Sequence, residues 1–579
     1  MVDLEAIVAR QAEKQQLSLG SYQHAYGARL KAWSGEEIGR RLWQKDGTVW
    51  VVDPAEAASA GDLTDRLGWL TLPAVMPNEL ENLQAFSREM RNAGFSQVVL
   101  LGMGGSSLAP EVFMRTFGNR PGYPPVTVLD STHPVSIQRV LQSIDVAKTL
   151  FIVSSKSGGT IETLSFYKFF FEAVKDKRDD PGLNFVAITD PGSALEKLAG
   201  EKNFRRVFSA PPEVGGRYSA LTYFGMVPAA LIGVDVKTIL ERASIMAHAC
   251  SSGVPADKNP GLMLGAAMGE LALAGRDKIT FLASPGISSF GAWVEQLIAE
   301  STGKKGTGIL PVVDTTPGPP DAYSRDRFFI YLRLAGDEND TLDQMVNSLE
   351  KKGHPVVRIH LDEKPDMGAE FFRWEMATAA AGAVLGINPF DQPDVEAAKI
   401  KARELMDAYR KNGVLPSDEP VLTDQAMQLY GGTGSGSSTA AGHLADFLKQ
   451  KREGDFVAIM AYISSSPQSD ELLDEMRIFL RDRLHIATTV GYGPRFLHST
   501  GQLHKGGRNN GLFIQITHTP ESDCAIPGEP YSFGTLIAAQ ALGDYQALQE
   551  RKRRLIRFHL GSDLVAGLER LRDIIEGEV

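Results

Sequence analysis

The chain twice repeats one arrangement: a short apolar run, then a loop of glycines and hydroxyl residues. Val98-Val99-Leu100-Leu101 leads into Gly102-Met103-Gly104-Gly105-Ser106-Ser107, and Leu150-Phe151-Ile152-Val153 leads into Ser154-Ser155-Lys156-Ser157-Gly158-Gly159-Thr160. After the second loop Leu164, Tyr167, Phe171 and Val174 follow a helical pattern. Apolar runs at 126–129 and 185–188 carry the rhythm across residues 91–235, which reads as a parallel sheet with helices on both faces. A second unit of this kind spans 255–412, with strands expected near 279–283, 328–332 and 356–361. Residues 1–90 read mostly as helices and turns. Residues 431–442, rich in Gly and Ser, read as a flexible linker. Beyond them lies a third unit, 443–579, with strands at 456–463 and 512–517 and a helix over 471–484. The expected fold is therefore α/β: two doubly wound parallel-sheet domains and a C-terminal α/β unit.

Composition narrows the function classes. With 579 residues, 43% apolar and 23% charged, the chain fits an ordinary globular protein of two to four domains. A net charge of −11 argues against nucleic acid or an anionic membrane as partner. The basic run Arg551-Lys552-Arg553-Arg554 reads as a solvated face of a C-terminal helix. Two cysteines without a CxxC exclude a disulfide framework and a cysteine zinc site. Asp3, Glu5, Arg10, Glu13 and Lys14 interrupt the first twenty residues, so no signal peptide is expected there. The longest apolar stretch, 376–387, is too short to span a bilayer, and a cytoplasmic location is expected. His498 and His504 match no helix or strand face as a ligand pair, so no metal is expected.

Four motifs carry chemistry. A strand, a glycine loop and a helix start offer backbone N–H groups to an anion, and the hydroxyls with Lys156 suit a phosphate dianion. No Gly-Lys-Ser/Thr closes either loop, so neither is a nucleotide P-loop. In Val214-Gly215-Gly216-Arg217-Tyr218-Ser219, two glycines let the backbone approach a ligand while the guanidinium points at it. Between Trp293 and Gly306, Trp293, Val294, Leu297 and Ile298 form the buried stripe of a helix that ends at Ser301-Thr302-Gly303. Gln296 and Glu300 share a face near that end, where a carboxylate beside an amide can abstract a proton next to a carbonyl. The helix follows its strand, which suggests that the base lies at the carboxyl edge of the second sheet. In Phe390-Asp391-Gln392-Pro393-Asp394-Val395-Glu396-Ala397-Ala398-Lys399, Asp391 reads as an N-cap, Pro393 as first-turn proline and Lys399 as a helix lysine aimed inward.

Taken together these motifs resemble the glucose-6-phosphate isomerase family of sugar-isomerase domains, whose order they follow from about residue 100 to 400. The resemblance implies two sugar-isomerase domains and interconversion of glucose 6-phosphate and fructose 6-phosphate without a cofactor. It implies that Ser155, Lys156, Ser157 and Thr160 hold the 6-phosphate, with Gly104, Gly105 and Ser106 lining the substrate. Glu300 would be the base, Arg217 the stabiliser of the enediolate, and Gln296, Gln392 and Lys399 direct substrate ligands. It also implies a homodimer. One departure concerns the ring-opening histidine, which the family places shortly after the glutamate. Here residues 305–353 hold no histidine, and a similar string, Gly493 to His504, follows the Asp391 motif instead. Either the element has moved along the chain and His498 is the proton shuttle, or the likeness is accidental. Two other readings stay open: a sugar-phosphate sensor without chemistry, and an isomerase that also accepts mannose 6-phosphate.

Overall fold

The computed structural model describes residues 4–313, 316–416, 418–432 and 436–578, apart from the side chains of 396–398 and 578. Asp3, residues 433–435 of the Gly/Ser run and the side chains at 396–398 of the Asp391 motif thus lie outside the described residues. The chain forms two compact units. One comprises Met1–Val128, Asp145–Pro317 and Arg325–Asp391; the other comprises Leu129–Ile144, Gly318–Ser324 and Gln392–Val579.

In the first unit, β1 is Gln15–Ser18, β2 Gln97–Gly102, β3 Val126–Leu129, β4 Thr149–Ser154, β5 Phe185–Thr189 and β6 Arg206–Ser209. Next come β7 Lys278–Ala283, β8 Leu310–Val313, β9 Arg327–Leu334 and β10 Val356–Leu361. One sheet runs β3-β2-β4-β5-β6, with β2, β4, β5 and β6 parallel. β4 and β5 are buried at every residue, as a strand covered on both faces must be. The register pairs Gly102 with Ser154, so both glycine loops leave the sheet side by side. That point is the topological switch, where the chain turns from β2 to β3 on one side and to β4 on the other.

The second sheet runs β1-β10-β9-β7-β8, parallel except for β1. The N-terminal segment, expected to be helix and turn, thus supplies an antiparallel edge strand. β8, which carries Pro311, closes the other edge, where a missing N–H is tolerated. The helix Phe290–Thr302 leaves the carboxyl end of β7 and returns along the sheet. Its last hydroxyl, Thr302 Oγ1, accepts from the N–H of Ile309 at 2.9 Å, immediately before β8 begins. Glu300 therefore lies at the amino edge of the second sheet, not at its carboxyl edge as the sequence order suggested. A helix that crosses back from a strand must end where the next strand starts. Trp293, Val294, Leu297 and Ile298 are buried, but so are Gln296 and Glu300. The polar side of this helix faces protein rather than water.

In the second unit, β11 is Leu422–Asp424, β12 Met427–Gly431, β13 Phe456–Tyr462, β14 Ala487–Tyr492, β15 Gly511–Thr517 and β16 Arg554–His559. Its sheet runs β11-β12-β16-β15-β13-β14. β16, β15, β13 and β14 are parallel, and β12 joins β16 antiparallel. Because β12 belongs to this sheet, the Gly/Ser run is an internal connection of the unit rather than a linker in front of it. The helix Pro393–Asn412, expected within the second sugar-isomerase domain, clusters with this unit. The basic run is not a helical face either. It turns into β16, with Arg554 on the Asp455 carboxylate at 2.6 Å and Arg551 paired with Asp394.

Candidate active site

In the first unit the two loops of the switch point meet the Gly215-Gly216 turn. A Cβ on Gly105 would lie 2.0 Å from the carbonyl oxygen of Gly216, so only glycine allows this approach. Ser154 Oγ donates to the Ser106 carbonyl at 3.1 Å and ties the loops together. Thr160 occupies the N-cap position of the helix Ile161–Lys175, yet its hydroxyl turns to Ser155 Oγ, 3.0 Å away, and makes no side-chain cap bond. The helix start is left to serve an anion with two hydroxyls beside it.

The remaining loop residues differ in placement. Ser157 is exposed and its Oγ accepts from the Gly159 N–H at 3.3 Å. Lys156 donates to both oxygens of Asp190, at 2.8 and 2.6 Å, and to the Pro212 carbonyl at 3.1 Å. Burial works against charge on both partners, lowering the Lys156 pKa and raising that of Asp190, while their mutual contact opposes it. The lysine expected on the phosphate is therefore anchored to a carboxylate beside the loop.

Arg217 and Glu300 are brought together. Arg217 is 2% exposed and Glu300 6%, and Arg217 Nη1 lies 3.2 Å from Glu300 Oε1. Gln296 Nε2 donates to Glu300 Oε2 at 3.1 Å, one helical turn away as the spacing predicted. Arg217 Nε donates to Ser301 Oγ at 2.7 Å, and Nη2 to the carbonyls of Pro389 and Asp391 at 2.7 and 3.0 Å. The Tyr218 ring lies 5.7 Å from the guanidinium, and burial pushes its phenol pKa up. Glu295 is only half-buried on the adjoining face.

Three groups of this cluster escaped sequence reasoning. Ser301 holds Arg217, the Pro389 carbonyl accepts from it, and Lys304 donates to the Asp391 carbonyl at 2.6 Å and to its Oδ1 at 2.7 Å. Asp391 therefore serves Lys304 instead of capping a helix; the N-cap is Gln392. Burial and then Arg217 lower the Lys304 pKa to about 8, with Asp391 and Glu300 pulling it up. A lysine beside a helix-ending glycine carries no signal in a single sequence that separates it from the exposed Lys305.

The second unit holds the other expected residues. Gln392 is exposed and Lys399 half-buried in the helix Pro393–Asn412. His498 is half-buried at the end of a turn, Arg495–His498, after β14. The segment is fastened to that helix by Gln502, whose Oε1 accepts from the N–H groups of Asp394 and Val395 at 2.9 and 3.2 Å. Gln502 Nε2 returns a bond to Asp394 Oδ2 at 2.8 Å. His504 is buried among Phe456, Phe496 and Phe513, with ring centroids 5.1–6.3 Å away. Burial, then the charges of Lys505 and Arg553, hold its pKa well below the usual value.

Comparison with known proteins agrees with this geometry. A family model described as phosphoglucose isomerase matches residues 80–319, which contain both glycine loops, Arg217 and Glu300. A probable glucose-6-phosphate isomerase of Methanococcus maripaludis is 31% identical over 385 residues, covering 60% of this chain and 85% of the relative. The glucose-6-phosphate isomerase of Methanocaldococcus jannaschii is 30% identical over 344 residues, covering 53% of this chain and 83% of the relative. The crystal structure of a hypothetical protein from Thermus thermophilus superposes with a TM-score of 0.55 at 26% identity, over 67% of this chain and 99% of that one. With its motifs in the family's order and its buried Arg217–Glu300–Gln296 cluster, the chain belongs to the phosphoglucose isomerase family.

Proposed function

We propose that the protein interconverts glucose 6-phosphate and fructose 6-phosphate by proton transfer through a cis-enediolate. The observation that carries this is the carboxylate of Glu300, buried and fixed by Arg217 and Gln296 at the switch-point loops of the first sheet. Ser155, Thr160 and the helix start behind them bind the phosphate, with Ser157 and the loop of Gly104, Gly105 and Ser106 completing the cradle. This anchoring lets binding energy orient the reacting carbons. Glu300 takes the proton from C2 and returns it to C1, so no net charge or atom is lost. The enediolate oxygen that develops charge is met by Arg217, whose donors are already aimed and need no reorganisation. Gln296 keeps the carboxylate on the substrate side. His498 and Lys399 carry the ring-opening proton, with Gln392 as a further ligand.

The same family reading supports a sugar phosphate as ligand, a homodimer and a cytoplasmic location; among the described residues no helix is long and apolar enough to cross a membrane. A coupled assay run separately with glucose, mannose and glucosamine 6-phosphates tests the function. Turnover of the first is expected, and binding of fructose 6-phosphate without any release of its C1 hydrogen would replace the isomerase by a sensor.

A further inference from the structure

We propose that Lys304 is a positioning residue for the isomerase reaction: by holding the carbonyl and carboxylate of Asp391 it keeps the guanidinium of Arg217 aimed at Glu300. The inference rests on the proposed function and adds to it a residue that touches no substrate. Lys304 is 2% exposed. Its ammonium reaches Asp391 O at 2.6 Å and Asp391 Oδ1 at 2.7 Å. The same carbonyl accepts from Arg217 Nη2 at 3.0 Å, and the Pro389 carbonyl accepts from that nitrogen at 2.7 Å. With Nη2 gripped by this loop and Nε by Ser301, Nη1 is the corner of the fork left facing Glu300, at 3.2 Å. Lys304 thus fixes the loop that fixes the fork.

Burying an ammonium beside a guanidinium is costly, and the bonds to the Asp391 carbonyl and carboxylate offset that cost. The charged groups that act on Lys304 are Arg217, Asp391 and Glu300, and its pKa of about 8 follows from burial first and Arg217 second. A folded pKa below the unfolded value means that the charged lysine weakens the fold below about pH 8. Stability from this group is gained as pH rises from about 8 towards the unfolded value of about 10.4. Function and stability therefore want opposite states of Lys304. Lys305 offers the contrast, being 62% exposed with its Nζ 3.6 Å from Glu56.

The test compares wild type with Lys304→Met, Lys304→Arg and Lys305→Met. Turnover of fructose 6-phosphate, affinity for a five-carbon aldonate 5-phosphate (a planar carboxylate mimic of the enediolate) and the thermal midpoint are read from about pH 6 to pH 10. Wild type and Lys305→Met are expected to lose kcat and aldonate affinity together as pH rises through about 8. Lys304→Met should lower kcat roughly tenfold to a hundredfold at neutral pH with KM changed less than about threefold, and should lack the alkaline limb. Its thermal midpoint should fall at neutral pH, because the Asp391 carboxylate loses its partner, so the split of kcat from KM and the missing limb are the readouts that a merely structural contact would not give. Lys304→Arg should recover part of the kcat and show no limb near that pH. A Lys304→Met enzyme with wild-type kcat, or one that keeps the limb, overturns the assignment. A wild type that binds the aldonate without turning over sugar phosphate overturns the proposed function instead, and the aldonate profiles still decide the case of Lys304.

Discussion

Arg217 is the most tightly held side chain of the cluster because each part of its fork has its own partner, with Nε on Ser301, Nη2 on two carbonyls and Nη1 on Glu300. Lysine keeps the charge but offers no planar fork. Arg217→Lys is expected to lower kcat about 10²–10³-fold while KM moves less than about threefold, since the interaction strengthens only as the enediolate forms. A rise in KM alone, in steady-state kinetics, would reassign Arg217 to ground-state binding. His498 and His504 form a second contrast. His504 is boxed in by aromatic rings and kept neutral by burial, whereas His498 is half-buried. His498→Ala should slow turnover of cyclic hexose 6-phosphates about 10²–10³-fold, yet spare erythrose 4-phosphate, which cannot close a ring through its phosphorylated oxygen. His504→Ala should act on both substrates alike through stability, and a selective effect from His504 would show the roles to be reversed. Glu300, Gln296 and Arg217 were legible as residues because spacing and glycine flanks announce them. Lys304, Ser301 and the Pro389 carbonyl were not, since their roles depend on partners far away along the chain.

The elements most readable from sequence were the central strands, and the reason is burial. β4, β5, β9 and β13 are apolar over nearly their whole length because they are covered on both faces. β6, β8 and β14 went unseen as edge strands with polar residues or a proline, and β16 was hidden behind the arginines that precede it. Arg557 within β16 lies between the rings of Tyr430 and Tyr545, 4.1 and 4.6 Å from their centroids, so the strand carries a packed charge that its apolar pattern does not show. The switch-point loops make a prediction at this scale. Gly105→Ala would place a methyl against the Gly216 backbone, which cannot move without carrying Arg217. We expect about 1–3 kcal/mol of destabilisation in urea melts, with activity falling much further than stability. An alanine enzyme with full turnover would mean that the loop can shift at no functional cost.

Across the molecule, the sequence order misled further because it does not record which sheet an element returns to. β1 crosses from the N-terminal segment to pair with β10, and the helix after Asp391 joins the C-terminal unit. That unit also holds four buried or partly buried histidines, His133, His504, His518 and His559, whose lowered pKa values should set its acid stability. The Val135 N–H donates to His133 Nδ1 at 3.3 Å, which puts the His133 proton on Nε2, facing His518 Nε2 at 2.7 Å. Burial, then His518, lowers His133 to about 3; burial, then His559, lowers His518 to about 4; and burial lowers His504 and His559 as well. All four folded pKa values lie below the unfolded value, so the unfolded chain binds more protons and stability falls as pH drops below about 6.5. Urea melts should show a loss of roughly 2–4 kcal/mol between about pH 6.5 and pH 5. A flat profile would mean that these rings find protonated partners in the folded state.

The central claim is that Glu300 moves the proton, and proton NMR of the reaction in deuterated water reads it directly. Wild type should convert glucose 6-phosphate to fructose 6-phosphate and place solvent deuterium at C1 of the product. Glu300→Gln keeps the shape and loses the base, so both conversion and deuterium incorporation should fall by about 10²–10⁴-fold or more while binding of the sugar phosphate stays within a few-fold. Retention of more than about a tenth of wild-type turnover by Glu300→Gln, with deuterium still entering C1, would contradict the account and move the base to another residue.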